Sequence, residues 1–415
     1  ERSFEGEVTV TGSLIPRADL TALSPVTVLD APAELTYSGI VRIEDLVVQM
    51  PQAFAGQNST VANGASGTAT IDLRNLGTFR TLVLMNGRRM PPGDVSSYAP
   101  DINVVPSALV KRVDVLTGGA STVYGSDAMA GVVNFVLDTD FEGVRGGVQY
   151  STYNHDNNNA QAQAMNEARG FDVPTGSVWA GAGISANIAV GGKFADGKGH
   201  ASAYIDYRKI DELVKGSRDY LNCAPQHGDD GPICGGSATT PWGTFFADNG
   251  TFMVGHTADG YNGHEFVPWD GRRFNYGPYN HVQRPDEKWN AGAFVNYEIN
   301  KNFDIYLEVM YMNNYTDAQI APSGNFWNTD YVNCDNPMLS DQQHDLICVQ
   351  NGYADDEYAN LGSLRRNVEG APRSNALGHT NVRILAGMRG EIGDNWNYDF
   401  YYLKGQNNSF DSYNN

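Results

Sequence analysis

Apolar and polar residues alternate in long runs from about Glu142 to the end of the chain. The longest run places these residues on one side: Val178, Ala180, Ala182, Ile184, Ala186, Ile188 and Val190. A period of two is the pattern of a β-strand with one apolar face and one more polar face. Seven segments show it, at residues 144–151, 178–190, 201–208, 289–299, 303–311, 382–389 and 396–402.

The connections between these predicted strands differ greatly in length. Short turns are expected near residues 194–198, 300–302 and 393–395, and long loops over residues 154–175, 216–286 and 317–378. Because short and long connections alternate, all the long loops lie at one end of the sheet. Outer-membrane barrels have this arrangement, with apolar side chains facing lipid and a polar lumen. A soluble sandwich would rarely place loops of about 60 residues at the same end.

Residues 1–139 follow a different pattern. Short apolar runs alternate there with Gly- and Ser-rich loops, at residues 26–29, 82–85, 113–116 and 132–137. A helix is expected over residues 43–50, ended by Pro51, and a second short one after Pro106. Small residues crowd an apolar run over residues 121–135, which lets backbone approach backbone closely. This pattern predicts a small α+β domain with a mixed sheet that fits inside a larger shell.

Composition narrows the class of protein. The 46 Gly and 22 Tyr, with only 18% charged residues, suit β architecture better than helical bundles. A net charge of −20 argues against nucleic acid as a partner. There is no run of about 18 apolar residues, so no transmembrane helix is expected. No signal peptide begins at Glu1, so a mature form is expected.

Seven strands are too few to close a channel of this type. An open sheet would leave two strand edges unpaired in lipid, which costs several kcal/mol for each exposed polar group. A wall of about 22 strands would need on the order of 860 residues. The sequence is therefore expected to be the N-terminal part of a longer protein, or to be completed by another chain.

The four cysteines form two close pairs, each inside a predicted long loop. Cys223 is near Cys234, and Cys334 is near Cys348. An even number of cysteines at short spacings favours two local disulfides, Cys223–Cys234 and Cys334–Cys348, in an oxidising compartment. Zinc binding would need tighter Cys-x-x-Cys spacing and nearby histidines. No metal site is expected.

Several segments of residues 7–143 resemble the plug domain of TonB-dependent outer-membrane transporters. They are residues 71–77 (IDLRNLG), 81–89 (TLVLMNGRR), 112–116 (RVDVL) and 120–125 (ASTVYG). Asn75 and Lys111 stand where the family commonly has Gly and Glu. The resemblance implies an N-terminal α+β plug domain, residues 1–139, inside a transmembrane antiparallel β-barrel. Residues 140–415 would be the N-terminal portion of that barrel.

The same resemblance implies import of a scarce solute through the outer membrane of a Gram-negative bacterium. The solute classes left open are siderophore, cobalamin, oligosaccharide and peptide. Energy would come from a TonB-type inner-membrane complex, with the N-terminus in the periplasm. An extended segment would pair with that complex by strand addition, and its residues are Glu7, Val8, Thr9, Val10 and Thr11. A first plug strand without a coupling role is the alternative.

Two sets of plug residues are candidates for roles in transport. Polar residues between plug strands are candidate ligand contacts: Gln57, Asn58, Ser59, Asn63, Asp94, Ser96 and Tyr98. Arg74, Arg88 and Arg112 interrupt apolar plug strands, and a buried guanidinium needs a partner. Lumen-facing Glu298 or Glu308 could supply the carboxylate. The alternatives are unpatterned loop positions for the first set and purely structural ion pairs for the second.

No motif of a known catalytic class is present. The sequence lacks Gly-x-Ser-x-Gly, His-Glu-x-x-His and a phosphate-binding loop, so no enzyme activity and no cofactor are expected. The expected partners are the energy-coupling complex, the transported solute, outer-membrane lipid and lipopolysaccharide, and a surface lipoprotein or other chains.

Two other functions remain open at this stage. The 71-residue loop over residues 216–286 suggests a surface adhesion or scaffold protein whose loops are the binding surface. Deleting residues 1–12 would abolish uptake and spare adhesion, so it separates the two. A soluble secreted β-protein would instead dissolve without detergent.

Overall fold

The computed structural model describes residues 26–29, 41–118, 120–257, 260–327, 329–393 and 396–415. Most of the regular structure within these residues is β-strand. No helix among them is both long enough and apolar enough to cross a membrane.

The N-terminal domain is a five-stranded mixed sheet with short helices. Its elements are β1 (Val26–Leu29), α1 (Ile43–Val48), β2 (Ala53–Ala55), β3 (Ile71–Leu73), β4 (Thr81–Met85), β5 (Arg88–Arg89), β6 (Val110–Leu116), α2 (Ser121–Tyr124) and β7 (Gly131–Leu137). The sheet order is β1-β6-β7-β4-β5, with β4 parallel to β7 and the other neighbours antiparallel. β2 pairs separately with β3. The predicted α+β domain with a mixed sheet is therefore present.

The small residues before β7 let it pack closely against its neighbour. Gly131 has a φ of +141°, and a Cβ added there would lie 2.3 Å from the carbonyl oxygen of Leu116 in β6. Any side chain at this position would therefore push the two strands apart. The following residues Val132, Val133 and Phe135 are completely buried. This explains the mixture of small and apolar residues seen in the sequence.

The rest of the chain forms one large sheet and several small ones. Its elements are β8 (Gly143–Asn157), α3 (Ala160–Ala168), β9 (Gly176–Phe194), β10 (Gly199–Ile210), β11 (Leu213–Val214), β12 (Pro225–Gly228), β13 (Gly231–Cys234), β14 (Thr244–Ala247), β15 (Gly250–Thr257), β16 (Gly260–Pro268), β17 (His281–Gln283), β18 (Asp286–Asn300), β19 (Phe303–Ile320), β20 (Gly324–Phe326), β21 (Tyr331–Asn333), α4 (Asp341–Ile347), β22 (Tyr358–Asn360), β23 (Gly362–Arg366), β24 (Arg373–Ile392) and β25 (Trp396–Asn414).

Seven of these strands are long and make one antiparallel sheet, in the order β25-β24-β19-β18-β10-β9-β8. Each long strand pairs with the next long strand along the chain, as in an up-and-down barrel wall. β8 and β25 lie at opposite edges of this sheet. The predicted fold class, a plug-like α+β domain with a barrel-like antiparallel sheet, is confirmed. We call the two ends of the sheet the loop end and the turn end, after their connections.

The two faces of the large sheet have the chemistry that the alternation predicted. In β19, Leu307, Val309 and Tyr311 are exposed on the outer face. Glu308 and Met310, on the inner face between them, are buried. The inner face is buried because the N-terminal domain covers it. The core of that domain continues into inner-face residues of the sheet, which are Ala189, Tyr204, Phe294, Met310 and Met312.

The second and third long loops fold together. β14, β15 and β16 of the second loop and β20 and β23 of the third share one five-stranded sheet, in the order β16-β15-β14-β23-β20. An apolar cluster joins residues from both loops, including Phe252, Phe266, Ile347 and Leu361. We call this unit, comprising β14–β16, β20–β23 and α4, the loop module.

Both cysteine pairs are disulfide-bonded. Cys223 is bonded to Cys234 at the end of β13, with Cα atoms 5.7 Å apart. Cys334 follows β21 and is bonded to Cys348, which follows α4, with Cα atoms 6.0 Å apart. The second disulfide is buried within the apolar cluster of the loop module. It therefore fixes α4 against the β21–β22 ribbon.

Candidate functional site

The candidate site is the contact between the N-terminal domain and the inner face of the large sheet. Its first anchor is Arg88, which a tight turn presents to the sheet. Asn86 and Gly87 have φ values of +50° and +73°, the left-handed pair that closes a two-residue hairpin between β4 and β5. The side chain of Asn86 accepts a hydrogen bond from the backbone N–H of Leu137, 2.8 Å away. The turn is thus held to β7, and Arg88 points away from the domain.

Arg88 contacts two strands near the turn end. Its Nη2 donates to the hydroxyl of Tyr306 at 2.8 Å and lies 3.1 Å from a carboxylate oxygen of Asp399. Its Nη1 lies 3.5 Å from Glu308. The guanidinium also lies over the rings of Tyr306 and Tyr401, at 5.2 and 4.8 Å from their centroids. A planar, forked cation with two aromatic faces is well suited to such a place.

Glu308 is shared between the domain and the sheet. Its other oxygen accepts a hydrogen bond at 2.6 Å from Arg383 of β24, whose side chain is fully buried. Glu308 therefore keeps a partner when Arg88 leaves. This matters because a buried carboxylate left without a partner is strongly destabilising.

The other two predicted ion-pair arginines do not reach the sheet. Arg112 bonds to Asp114 at 2.9 Å within β6. Arg74 donates to the backbone carbonyls of Met129 and Ala130, at 3.3 and 2.9 Å. Both contacts hold the N-terminal domain together. Of the three arginines, Arg88 alone links it to the large sheet.

A second anchor lies near the loop end, at the short turn over residues 102–104. The side-chain oxygen of Asn103 accepts a hydrogen bond from Arg208 of β10 at 3.1 Å. Its backbone carbonyl accepts bonds from Lys288 and Asn290 of β18, both at 3.2 Å. Two cations and an amide thus converge on one buried asparagine. Sequence reasoning missed Asn103, because nothing in its local sequence marks an acceptor for such distant donors.

The segment before β18 forms a third contact. The backbone N–H of Arg284 donates to the carbonyl of Ser59 at 2.9 Å, and its Nη2 donates to the carbonyl of Asn58 at 2.8 Å. Its guanidinium borders a small cavity of about 10 Å³ beside Arg42 and Glu44 of the N-terminal domain. Burial lowers the pKa of Arg284 to about 10. This cation is therefore poorly compensated where the domain meets the sheet.

The structure places the predicted ligand contacts in two loops, residues 56–70 and 91–100. Gln57 braces the first loop, accepting from Ser66 N–H at 3.1 Å and donating to Gly64 at 3.2 Å. Asn58 is buried, and its side chain accepts from the N–H of Thr60 at 2.9 Å. These two amides shape the loop. Ser59 is half-buried, and Asn63 is exposed.

In the second loop, Asp94 accepts a bond from the N–H of Ser96 at 2.6 Å. Tyr98, beside it, is 88% exposed. Asn63, Ser96 and Tyr98 are therefore the predicted contacts that are exposed. The predicted coupling segment, residues 7–11, lies outside the described residues.

Among the residues that the structure describes, no group of three or more His, Cys, Asp or Glu is arranged to hold a metal ion.

Comparison with known proteins places the N-terminal domain in a family. Residues 18–132 match the family model described as TonB-dependent Receptor Plug Domain. The chain is also similar to a solved ferric enterobactin receptor of Pseudomonas aeruginosa in complex with enterobactin. The identity is 13% over 89% of this chain and 41% of that one, with a TM-score of 0.43.

Two other solved structures are similar to this chain. They are the siderophore receptor PiuA from Acinetobacter baumannii (13% identity, 97% of this chain and 48% of that one, TM-score 0.44) and the siderophore receptor PirA from Pseudomonas aeruginosa (13%, 94% and 48%, TM-score 0.37). The chain spans less than half the length of these three structures. The family match confirms the resemblance found in the sequence: over residues 18–132 the chain contains a TonB-dependent receptor plug domain.

Proposed function

We propose that this chain is the plug and the adjoining barrel strands of an outer-membrane transporter that imports a scarce solute with energy supplied through TonB. The plug family match supports this proposal. So does the seating of the plug on the inner face of a long-stranded sheet. The chain would carry out no covalent chemistry. Its work would be to hold the lumen closed and to open it on demand.

The contacts between plug and sheet suit reversible release. Arg88, Asn103 and Arg284 make polar contacts near the two ends of the sheet. A polar contact of this kind, with one charged partner, contributes only about 1–3 kcal/mol net, because water can replace the partner that leaves. Water cannot replace the partner of an apolar contact of the same area in this way, because exposing apolar surface to water is unfavourable. The polar ends would therefore separate first when the plug is pulled.

Coupling would run from the solute to the N-terminus. A solute outside would touch exposed plug positions such as Asn63 and Tyr98. The segment over residues 7–11 would then pair, as an added strand, with the TonB-type partner in the periplasm. Outer-membrane lipid and lipopolysaccharide would cover the apolar outer face. Siderophore, cobalamin, oligosaccharide and peptide are the solute classes to test, by mass spectrometry of solute that copurifies with the intact protein.

The test of this proposal is a pair of substitutions in the coupling segment. Val8→Pro with Val10→Pro removes two backbone N–H donors and blocks strand addition, whereas Val8→Ala with Val10→Ala keeps them. We expect the proline variant to lose uptake of the copurified solute, and the alanine variant to keep it, at equal levels in the outer membrane. Full uptake by the proline variant would reject coupling through this segment.

A second candidate function is surface adhesion, which the loop module favours. Two loops that share a sheet and an apolar cluster form a firm surface rather than loose connections. Adhesion would be supported over import if the protein adheres to its partner but never takes up solute. This result would have to hold both with and without residues 1–12.

A further inference from the structure

The loop module carries two exposed tyrosines on one face of a small ribbon. In the β21–β22 pair, Tyr331 lies opposite Asn360, and Asn333 lies opposite Tyr358. These four residues share a face, because alternate residues of a strand point the same way. Ala359, on the other face, is part of the apolar cluster. Tyr331 and Tyr358 are 64% and 65% exposed.

The ribbon is held firmly at both ends. The backbone N–H of Cys334 donates to the carbonyl of Glu357 at 3.0 Å, and that of Leu361 donates to Asp330 at 2.9 Å. The Cys334–Cys348 disulfide lies directly beyond β21. A surface that is ordered before binding loses less conformational entropy when a partner docks. The tyrosines are thus presented on a preorganised support.

Tyr331 and Tyr358 are diagonal neighbours on the ribbon. Such neighbours on an antiparallel pair are about 7–8 Å apart. Neither ring packs on another ring, and neither hydroxyl has a hydrogen-bond partner, within the described residues. The amide of Asn360, on the same face, donates to Asp248 at 3.0 Å and is held in place. The ring faces are therefore open to solvent.

The chain that forms the ribbon and connects its two strands is acidic. Residues 330–360 contain no Lys or Arg and seven acidic residues, which are Asp330, Asp335, Asp341, Asp345, Asp355, Asp356 and Glu357. Asp330 precedes the first tyrosine, and residues 355–357 precede the second. Like charge disfavours nucleic acids and acidic polysaccharides as partners. Tyrosine rings next to carboxylates favour a cationic partner. The cation is attracted both by the faces of the rings and by the negative charge of the carboxylates.

We propose that this face docks a cationic segment of a partner polypeptide, with Lys or Arg side chains placed over Tyr331 and Tyr358. Arginine fits best, because its planar guanidinium stacks on aromatic rings and also binds carboxylates. The carboxylates at the ribbon ends attract the cationic segment. The two tyrosine rings then determine where its Lys or Arg side chains bind. This binding does not depend on import.

The test uses the full-length protein in detergent and a fluorescent oligo-arginine peptide at about physiological salt. The combined variant Tyr331→Ala, Tyr358→Ala should bind about tenfold more weakly, since each exposed cation–π contact is modest. Tyr331→Phe with Tyr358→Phe keeps both rings and should bind as the wild type does. Tyr220→Ala removes an exposed tyrosine outside the module and should change nothing. Circular dichroism of each variant checks the fold.

Charge substitutions complete the test. Asp355→Asn with Asp356→Asn should weaken binding and make it less sensitive to salt. The proposal is overturned if the alanine pair binds the peptide as the wild type does, since binding is then diffuse attraction to an acidic protein. It is also overturned if the wild type binds a neutral oligosaccharide or oligo-glutamate through the tyrosines instead.

Discussion

The guanidinium of Arg88, in β5 of the plug, lies 3.1 Å from the carboxylate of Asp399, in β25. Through Glu308 the same guanidinium also reaches β19, which is separated from β25 in the sheet by β24. One plug side chain therefore contacts two strands that are not neighbours. Arg88 lies at the turn end of the sheet. This is the side from which the TonB-type partner would pull on the plug in the proposed function.

Replacing Arg88 should loosen the plug. Arg88→Met removes the contacts with Asp399, Glu308 and Tyr306, while Glu308 keeps Arg383. We expect the free energy of plug unfolding to fall by about 1–3 kcal/mol. Hydrogen exchange should become faster over residues 81–89. Arg88→Lys should give a smaller effect, because an ammonium supplies charge without the forked geometry.

Arg89 is the matched control for this experiment. It follows Arg88 in β5, but its side chain is 54% exposed, and its ion pair with Asp127 stays within the plug. Arg89→Met should change stability by less than about 0.5 kcal/mol. Equal effects of the two substitutions would show that Arg88 has no special role in seating the plug.

Asn103 should contribute more to the stability of the plug than its neutral side chain suggests. Asn103→Ala removes the oxygen that accepts from Arg208 and leaves both backbone carbonyl contacts with β18 in place. We expect a loss of about 1–3 kcal/mol, typical of a hydrogen bond to a charged donor. Denaturant unfolding followed by plug hydrogen exchange measures it. Asn63→Ala, at an exposed loop position, should leave stability unchanged, and a loss there as large as at Asn103 would contradict the assignment.

Plug stability should depend on pH through Asp45 of α1. Burial and then the neighbouring Glu44 raise the pKa of Asp45 to about 6. The folded plug therefore binds this proton more tightly than the unfolded chain, whose Asp pKa is about 3.9. The stability from this group is complete below about pH 4 and is lost as the pH rises through about 6.

Asp45→Asn should reduce this dependence, to which Asp101 also contributes because burial raises its pKa. We expect about 1–2 kcal/mol more stability at pH 7 and a flatter slope between about pH 4 and pH 6. Asp127 is the control of opposite sign, because its hydrogen bond from Arg89 lowers its pKa. Asp127→Asn should leave the slope between pH 4 and pH 6 unchanged. A slope as steep in Asp45→Asn as in the wild type would assign the pH dependence to other groups.

The Cys334–Cys348 disulfide should hold the loop module and leave the plug unaffected. Its cysteines are 14 residues apart and buried in the apolar cluster. Replacing both by Ser should destabilise the module by about 2–4 kcal/mol. Limited proteolysis should then cut within residues 330–361. Replacing Cys223 and Cys234, which lie outside that cluster, should leave those sites protected, and cleavage there in both variants would argue against a local role.

The long strands could be predicted from the sequence because one physical rule acts along their whole length. Leu307, Val309 and Tyr311 face outward, and the residues between them face the plug, so a period of two appears directly in the chain. The plug motifs were recognisable for a similar reason. Close packing at Gly131 leaves few alternatives to glycine.

Contacts between distant residues could not be predicted in this way. β14 pairs with β23 more than 100 residues further along the chain, and neither segment marks its partner. From the sequence alone, Glu298 and Glu308 were equally good candidates for the ion-pair partner of Arg88. The fold selects Glu308, because Glu298 lies on an exposed stretch near the turn end. Nor could composition show that Gln57 and Asn58 make the hydrogen bonds that shape their loop.

The central claim is that the plug closes the lumen of a membrane-spanning wall, and the entry of a large antibiotic into cells tests it. The protein is expressed in the outer membrane of a Gram-negative host, either intact or lacking residues 1–139, at equal levels. Vancomycin, which porins exclude, should enter cells that carry the plugless form and stay outside those with the intact form. Exclusion of vancomycin by both forms would contradict the claim that these residues are the stopper.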